Sequence, residues 1–332
     1  MFFPLRAKII FKLLGFFLFF YGVGLRAQAG SVGTTTADIL KINQGTRPDG
    51  MGGAYTAMGD DVYSVNYNPA GLSYITASQL VLLHLDSLAD IQYEFLTFAT
   101  SWAGNNTLAT NITYRHSPPI DNQNGNPPVN TDDLLGTLSY ARKFSDNFRA
   151  GLTIKYLVST LGPLTGSAVA FDGGVVLDKL PYGLRVGIAF QNLGTGMTFN
   201  PSSAADALPL FLRLGIGTHQ VIDKNKDLNF GLEVFKPSDQ DIKLGLGGEF
   251  WVFPGLFAVR AGYKLEGFST TYNVFQNYSI GCTLTRDFDG DDFSVDIAYD
   301  PAEFISPADP TSTVEATFLF ALNFKFNQFH IF

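Results

Sequence analysis

The sequence is poor in charge and in cysteine. Only 16% of its 332 residues are charged, against about 25% in a typical soluble domain. The single cysteine, Cys282, excludes an intrachain disulfide and a metal site built from several cysteines. Lys and Arg number 22 against 30 Asp and Glu, giving a net charge of −8. This balance argues against nucleic acid or anionic headgroups as partners, since both favour clustered basic residues.

Long apolar runs are missing beyond the first thirty residues. Basic Arg6, Lys8 and Lys12 precede an apolar stretch, Leu13–Leu25, and the small-x-small sequence Ala27-Gln28-Ala29. This order predicts a signal peptide over 1–29. The alternative is an N-terminal membrane anchor, but the run is shorter than the roughly 20 residues that a spanning helix needs. A closed β-barrel, however, also satisfies every backbone group in lipid.

What the sequence does contain is alternation with a period of two. Leu152, Ile154 and Tyr156 alternate with Thr153 and Lys155, and similar segments recur from Gln79 onward. A soluble sandwich would show the same period with its apolar face inward. The absence of a crossover helix and the Gly-rich polar face favour an all-β transmembrane antiparallel β-barrel of about 14 strands over 77–332. The predicted strands are 79–86, 90–101, 106–116, 132–144, 147–159, 167–179, 182–192, 208–221, 227–236, 241–253, 256–266, 274–286, 292–300 and 313–326.

The connections between these strands alternate in length. Tight turns such as Pro254-Gly255 follow even strands, whereas longer stretches such as Ser117–Thr131 and Leu193–Ala207 follow odd ones. Outer-membrane barrels have short periplasmic turns and long external loops. The pattern therefore predicts a bacterial outer-membrane location with both termini periplasmic. Trp102 and Trp251 lie near turns, as in an interfacial aromatic girdle.

The residues before the first strand do not follow this pattern. Gly45–Leu72 is rich in glycine and has neither period two nor a sustained apolar helical face. We predict that 30–76 forms an N-terminal plug that enters the lumen or closes its base. The residues we expect to carry it are Arg47, Asp49, Gly50, Gly52, Gly53, Asp60, Asp61, Asn68, Pro69, Ala70 and Gly71.

A set of charged residues shares the polar parity of the strands and is predicted to face the lumen. Two interpretations are open: the ions pair with one another or with Asp60 and Asp61, or they line a polar permeation path. The set is Lys155, Arg185, Arg213, Glu233, Lys243, Glu249, Arg260, Lys264 and Asp296.

Other motifs point to no chemistry. Gly50–Gly53 lacks the strand and helix that a phosphate-binding loop requires. Asp223–Asp227 and Asp287–Asp292 lack the Glu and helices of a calcium-binding EF-hand, although the second could hold a divalent ion loosely. The four histidines make no ligand spacing: His84, His116, His219 and His330. We predict no enzyme activity, no cofactor and no metal site.

The stretch from Arg47 to Ala54, together with Asp60-Asp61 and Asn68–Leu72, resembles the PorV/PorQ family of outer-membrane proteins, which is similar to the FadL-type transporters of hydrophobic compounds. Gln191–Gly194 and Arg260–Lys264 agree with this resemblance. It implies a fourteen-stranded barrel with an N-terminal segment lodged in or beneath it. It also implies passive transport of hydrophobic or amphipathic small molecules, with outer-membrane lipid and such molecules as partners. The alternative is a type IX secretion component that shuttles or docks cargo proteins.

Overall fold

The chain forms a closed antiparallel β-barrel of fourteen strands. The computed structural model describes residues 34–87, 90–122, 126–200, 202–223, 226–266, 277–300 and 317–326. The predicted signal peptide, 1–29, lies outside these residues, as does the aromatic chain end at Phe332. No helix in the described ranges is long and apolar enough to cross a membrane.

The barrel strands follow one another around the wall in chain order. Strand β1 (Ser78–Asp86) closes the barrel by pairing with β16 (Thr317–Phe326), from Ser78 opposite Phe326 to Asp86 opposite Phe318. The strands are β1 (Ser78–Asp86), β2 (Gln92–Trp102), β3 (Asn106–His116), β6 (Thr131–Ser145), β7 (Phe148–Leu161), β8 (Leu164–Leu177), β9 (Leu184–Gly194), β10 (Phe211–Asp223), β11 (Lys226–Pro237), β12 (Lys243–Phe253), β13 (Phe257–Glu266), β14 (Tyr278–Phe288), β15 (Asp291–Asp300) and β16 (Thr317–Phe326).

The fourteen-strand prediction is confirmed, and most boundaries agree within three residues. One element was not predicted: β4 (Ile120–Asn122) and β5 (Asn126–Val129) pair as a small separate sheet inside the expected loop Ser117–Thr131. The expected loop Thr160–Gly166 is instead a tight turn at residues 162–163, because β7 and β8 continue their pairing to Leu161 and Leu164.

The wall is apolar outside and polar inside over most of its circumference. On β7, Leu152 and Tyr156 are 64% and 55% exposed, whereas Thr153 and Lys155 between them are 2% and 6% exposed. This reverses the distribution of a soluble protein and suits a surface covered by acyl chains.

The two ends of the barrel differ. We call the end with the connections 103–105, 146–147, 178–183 and 254–256 the turn end, and the end with 117–130, 195–210 and 238–242 the loop end. Within residues 34–77, the described part before β1, there are three 3-10 helices (Asp38–Leu40, Val62–Asn66 and Pro69–Tyr74) and a one-turn α-helix, α1 (Thr46–Gly50). A further 3-10 turn, Pro181–Gly183, precedes β9.

Candidate functional site

Residues 34–77, here called the N-terminal segment, run through the lumen from one end of the barrel to the other. At the loop end, the amide of Thr36 donates to the carbonyl of Ala207 at 3.1 Å. At the turn end, the hydroxyl of Tyr74 donates to Asp178 at 2.7 Å. The first described residues therefore lie at the loop end, opposite the end at which β1 begins.

The middle of the N-terminal segment lies against glycines of the wall. Gly217, Gly231, Gly247 and Gly262 are direct register partners on four adjacent strands, and we call them the glycine row. A Cβ at Gly247 or Gly262 would lie under 3.0 Å from the backbone of Met51 or Gly52. At Gly217 the same space is taken by the side chain of Met58. Because only glycine leaves this space, the wall carries a groove that admits the backbone at residues 51–54 and the side chain of Met58.

Wall side chains also bind the backbone of the segment. Glu233 accepts the amides of Tyr55 and Thr56 at 2.9 and 2.8 Å, and its other oxygen pairs with Arg213 at 2.6 Å. The hydroxyl of Ser279 accepts the amide of Gly52 at 3.1 Å. These contacts satisfy backbone donors that have no partner in regular secondary structure.

Arg47 is the centre of a buried ion cluster. Its Nη1 lies 2.5 Å from Asp60 and 2.8 Å from Asp61, both in the N-terminal segment. Its Nε and Nη2 bind the two carboxylate oxygens of Glu249 on β12 at 2.8 and 2.9 Å. Arg260 on β13 binds the same carboxylate at 2.6 Å. We call these five residues the Arg47 cluster; the bidentate pairing is the strong form of an arginine–carboxylate contact.

Three further charged residues named from the sequence lie close to residues of the N-terminal segment, and a fourth is partly exposed. Lys264 pairs with Asp49 of the segment at 2.8 Å and with Asp300, and so joins segment to wall. Arg185 lies 3.9 Å from Asp60 and 3.4 Å from Asp178. Asp296 accepts a hydrogen bond from Thr46 at 3.3 Å. Lys243 is partly exposed at the loop end of β12.

Lys155 reveals residues that the sequence reasoning missed. It does not meet the N-terminal segment's acids but pairs with Asp172 at 2.7 Å and donates to Asn192 at 2.8 Å. The register of β8 and β9 shifts between Phe171 and Gly173, and Asn192 has a positive φ of 64°. Strict period two cannot anticipate this bulge; the Gln-Asn-Leu-Gly sequence at the end of β9 is the signal that could have found it.

The sequence Asn68-Pro69-Ala70-Gly71 anchors the segment near the turn end. The side chain of Asn68 accepts the amide of Ala70 at 3.1 Å and donates to the carbonyls of Thr56 and Val175 at 2.8 and 3.1 Å. Pro69 lies at the start of a 3-10 helix, where its missing amide costs nothing. A Cβ on Gly71 would collide with the carbonyl of Gly59.

Arg149 is a second missed anchor. Its Nη1 donates to the carbonyl of Ser73 at 2.8 Å, and its guanidinium lies 3.6 Å from the ring centre of Tyr74. Such a cation–π contact holds the end of the N-terminal segment against β7.

Towards the loop end the inner wall is apolar instead of polar. Inward side chains of β1, β2 and β6 pack with Ile39 and Leu40 of the N-terminal segment, and the connection 195–210 adds Met197 and Leu208. We call this region the apolar chamber; its wall residues are Leu83, Leu85, Tyr93, Phe95 and Leu135.

The N-terminal segment occupies the lumen among the described residues. A cavity beneath the apolar chamber, between Leu40 and Arg213, measures about 20 Å³, room for about one water molecule. The described conformation is therefore closed to solutes along this route.

The glycine-rich stretch Gly50–Gly53 and the acidic turn at Asp287 are explained by packing and by turn formation. Gly50 and Gly52 press against the wall at Gly281 and Tyr263, so Gly50–Gly53 leaves no cradle for a phosphate. Gly53, at φ 75°, faces open space. Asp287 accepts the amide of Gly290 in the β14–β15 turn at 3.4 Å. Within the described ranges no group of three metal-ligating side chains occurs.

The histidines lie apart. His84 is flanked by Glu94 and Asp86 on the outer face, His116 by Asp132 at 2.7 Å, and His219 by Asn229 at 2.6 Å. His330 is outside the described residues.

Comparison with known sequences gives a match to a family of uncharacterised proteins. Residues 24–156 match a family described as "Uncharacterised protein family (UPF0164)". Among curated proteins none matches the sequence significantly. The match to that family covers less than half of the chain.

Solved structures extend the likeness to the whole barrel. The Pseudomonas putida toluene transporter TodX is 11% identical, with a TM-score of 0.55 over 86% of this chain and 98% of that one. The Ralstonia pickettii toluene transporter TbuX is 11% identical, with a TM-score of 0.56 over 87% and 99%. A Pseudomonas aeruginosa FadL homologue is 12% identical, with a TM-score of 0.53 over 86% and 98%. The predicted likeness to FadL-type barrels is thus confirmed for the fold.

Proposed function

We propose that this chain is a passive outer-membrane channel for small hydrophobic or amphipathic molecules, held closed by its N-terminal segment. The observation that carries the proposal is the apolar chamber, a buried apolar region inside a membrane-facing barrel that the chain fills with its own Ile39 and Leu40. The barrels of similar fold include two described as toluene transporters.

The loop end is the external side in this proposal, since long connections gather there. The last described strand, β16, ends at the opposite side, which in this proposal faces the periplasm. Solute would enter the apolar chamber after residues 35–41 leave the loop end. It would pass on only when the contacts of the Arg47 cluster and the glycine row rearrange. Such a barrel needs no catalytic residues and no cofactor.

A disulfide lock tests the proposal. Cys282→Ala removes the single native thiol, and Thr36→Cys with Ala207→Cys joins residues whose backbones are already hydrogen-bonded. In proteoliposomes we expect toluene uptake in the reduced protein, loss of uptake on oxidation, and recovery with reductant. Each single-cysteine variant is the control. Absence of uptake in the reduced protein, with correctly folded barrels, would contradict a channel.

The secretion role implied by the PorV/PorQ resemblance is the alternative proposal. The filled lumen favours it, because a barrel that only docks proteins needs no open path. Its type IX cargo would bind the loop end and rim. Co-purification from native membranes is the test: cargo retained by the oxidised, locked protein, with no solute flux in either state, would favour docking over transport.

A further inference from the structure

The lining of the cavity beneath the apolar chamber is of two chemical kinds. Leu40 and Leu135, which belong to the apolar chamber, line it together with Tyr67, Lys155 and Arg213. It therefore lies at the boundary between the apolar chamber and the charged part of the lumen. A molecule with one polar end and an apolar body could place the polar end beside the charged part of the lumen and the apolar body in the apolar chamber.

The two cations at the cavity are already neutralised. Lys155 lies 2.7 Å from Asp172 and Arg213 lies 2.6 Å from Glu233, and both carboxylates are fully buried. A guest carboxylate would add a third negative charge to two closed pairs, with no new cation to compensate it. Burial of such a charge is costly, so the polar side of the cavity favours an uncharged group.

One residue that lines the cavity carries an unused polar atom. Tyr67 is 1% exposed, and its hydroxyl has no hydrogen-bond partner among the described residues. A buried hydroxyl left without a partner is unfavourable. A guest hydroxyl or carbonyl group would supply that partner, whereas a pure hydrocarbon would not.

We propose that this cavity is the head-group end of a binding site for small amphiphiles with one uncharged hydrogen-bonding group, such as an alcohol, phenol or ketone. The apolar body of the guest takes the place of Leu40 and its neighbours in the apolar chamber. The inference rests on the proposed channel and names the class of molecule that it selects.

Three one-ring probes separate the possibilities: benzyl alcohol, toluene and benzoate. Calorimetric titration of the protein in nanodiscs, against empty nanodiscs, should rank affinity in that order. Tyr67→Phe should weaken benzyl alcohol about fivefold, the equivalent of one hydrogen bond, and leave toluene unchanged. The matched control is Tyr63→Phe, which removes an equally buried hydroxyl that is bonded to Thr46 and Asn323 instead.

Tightest binding of benzoate, or an unchanged ratio of benzyl alcohol to toluene in Tyr67→Phe, would overturn the inference. So would binding of none of the probes while proteoliposomes still take up toluene, because the cavity then holds only water and the channel stands. The predicted ranking without any flux would have the opposite meaning: the binding site stands and the channel proposal falls.

Discussion

At the scale of single residues, Arg47 connects the N-terminal segment to the wall. It holds two acids of its own segment and one of the wall, so a single guanidinium joins both parts. Its removal leaves three carboxylates close together, with Arg260 against Glu249 and Arg185 no nearer than 3.9 Å to Asp60. Breaking a buried ion pair from one side is far more costly than its net contribution suggests.

We expect Arg47→Ala to destabilise docking of the N-terminal segment by about 3–5 kcal/mol, the usual cost of an uncompensated buried charge. Hydrogen exchange of amides 46–61 should accelerate, while the barrel strands stay protected. Arg47→Lys should recover only part of the effect, since lysine lacks the planar fork. The control is Arg142→Ala, on the outer face. Equal protection in Arg47→Ala and Arg142→Ala would contradict the role given to the cluster.

Lys41 lies 2.8 Å from Asp239 at the loop end. This contact predicts that the docking of residues 34–44 depends on pH. Partial burial disfavours the charged carboxylate, but hydrogen bonds from Lys41 and Thr35 outweigh it and lower the pKa of Asp239. A pKa that is lower in the folded state contributes stability that is complete above the ordinary aspartate value and is lost as pH falls through the folded value. Exchange of residues 34–44, corrected for intrinsic rates, should be constant from neutral pH and rise only below about pH 4.

Asp239→Asn provides the comparison for this titration. It should show the faster exchange at every pH and no rise in acid. Loosening of the wild-type loop end between pH 5 and 7 would show that another group controls it.

At the scale of elements, the glycine row receives the N-terminal segment closely, through its backbone at residues 51–54 and through the side chain of Met58. Four adjacent strands each give up a side chain at the same level of the wall. Strand glycines normally weaken a sheet, so their alignment opposite residues 51–58 is explained by the segment and not by the barrel.

Neighbouring glycines on β12 provide a matched test. A Cβ on Gly247 meets the backbone of Met51 under 3.0 Å away, whereas one on Gly248 has its nearest neighbour at 3.7 Å. Gly247→Ala should displace the segment and increase its proteolysis, and Gly248→Ala should not. Both should retain heat-modifiable migration on gels, because the barrel pairing is untouched. Loss of the folded barrel in Gly247→Ala alone would show that the segment is required for barrel assembly.

At the scale of the whole molecule, the barrel separates an apolar exterior from a packed interior. The exposed faces of β7 and its neighbours form an apolar belt whose exposure to water would be unfavourable. The interior, by contrast, holds its ions in pairs between two parts of one chain. Stability therefore depends on the membrane outside and on the N-terminal segment inside.

A charge introduced on the apolar belt should reduce the stability of the barrel, most of all at a mid-strand, lipid-facing residue. Leu152→Arg, mid-strand and lipid-facing, should make the free energy of folding into vesicles less favourable by about 2–4 kcal/mol. Tyr182→Arg is the control, since Tyr182 is 90% exposed in the turn before β9. Urea titration followed by gel mobility measures both. Equal effects of the two substitutions would argue against a membrane-embedded belt at β7.

The alternation of residues such as Leu152 and Thr153 was enough to predict the barrel, its strand number and most strand limits. Each of these depends on local period and turn composition, which are present in the linear chain. The pairing of Lys155 with Asp172 was beyond such reasoning, because period two does not fix which residues of β7 and β8 lie side by side. The bulge between β8 and β9, where Asn192 accepts a hydrogen bond from Lys155, was hidden from it as well. The same holds for the glycine row, for the apolar inner face of β1 and β2, and for the path of residues 34–41 to the loop end. These features arise when distant segments meet inside a closed wall, and a one-dimensional period contains no information about which inner positions face each other.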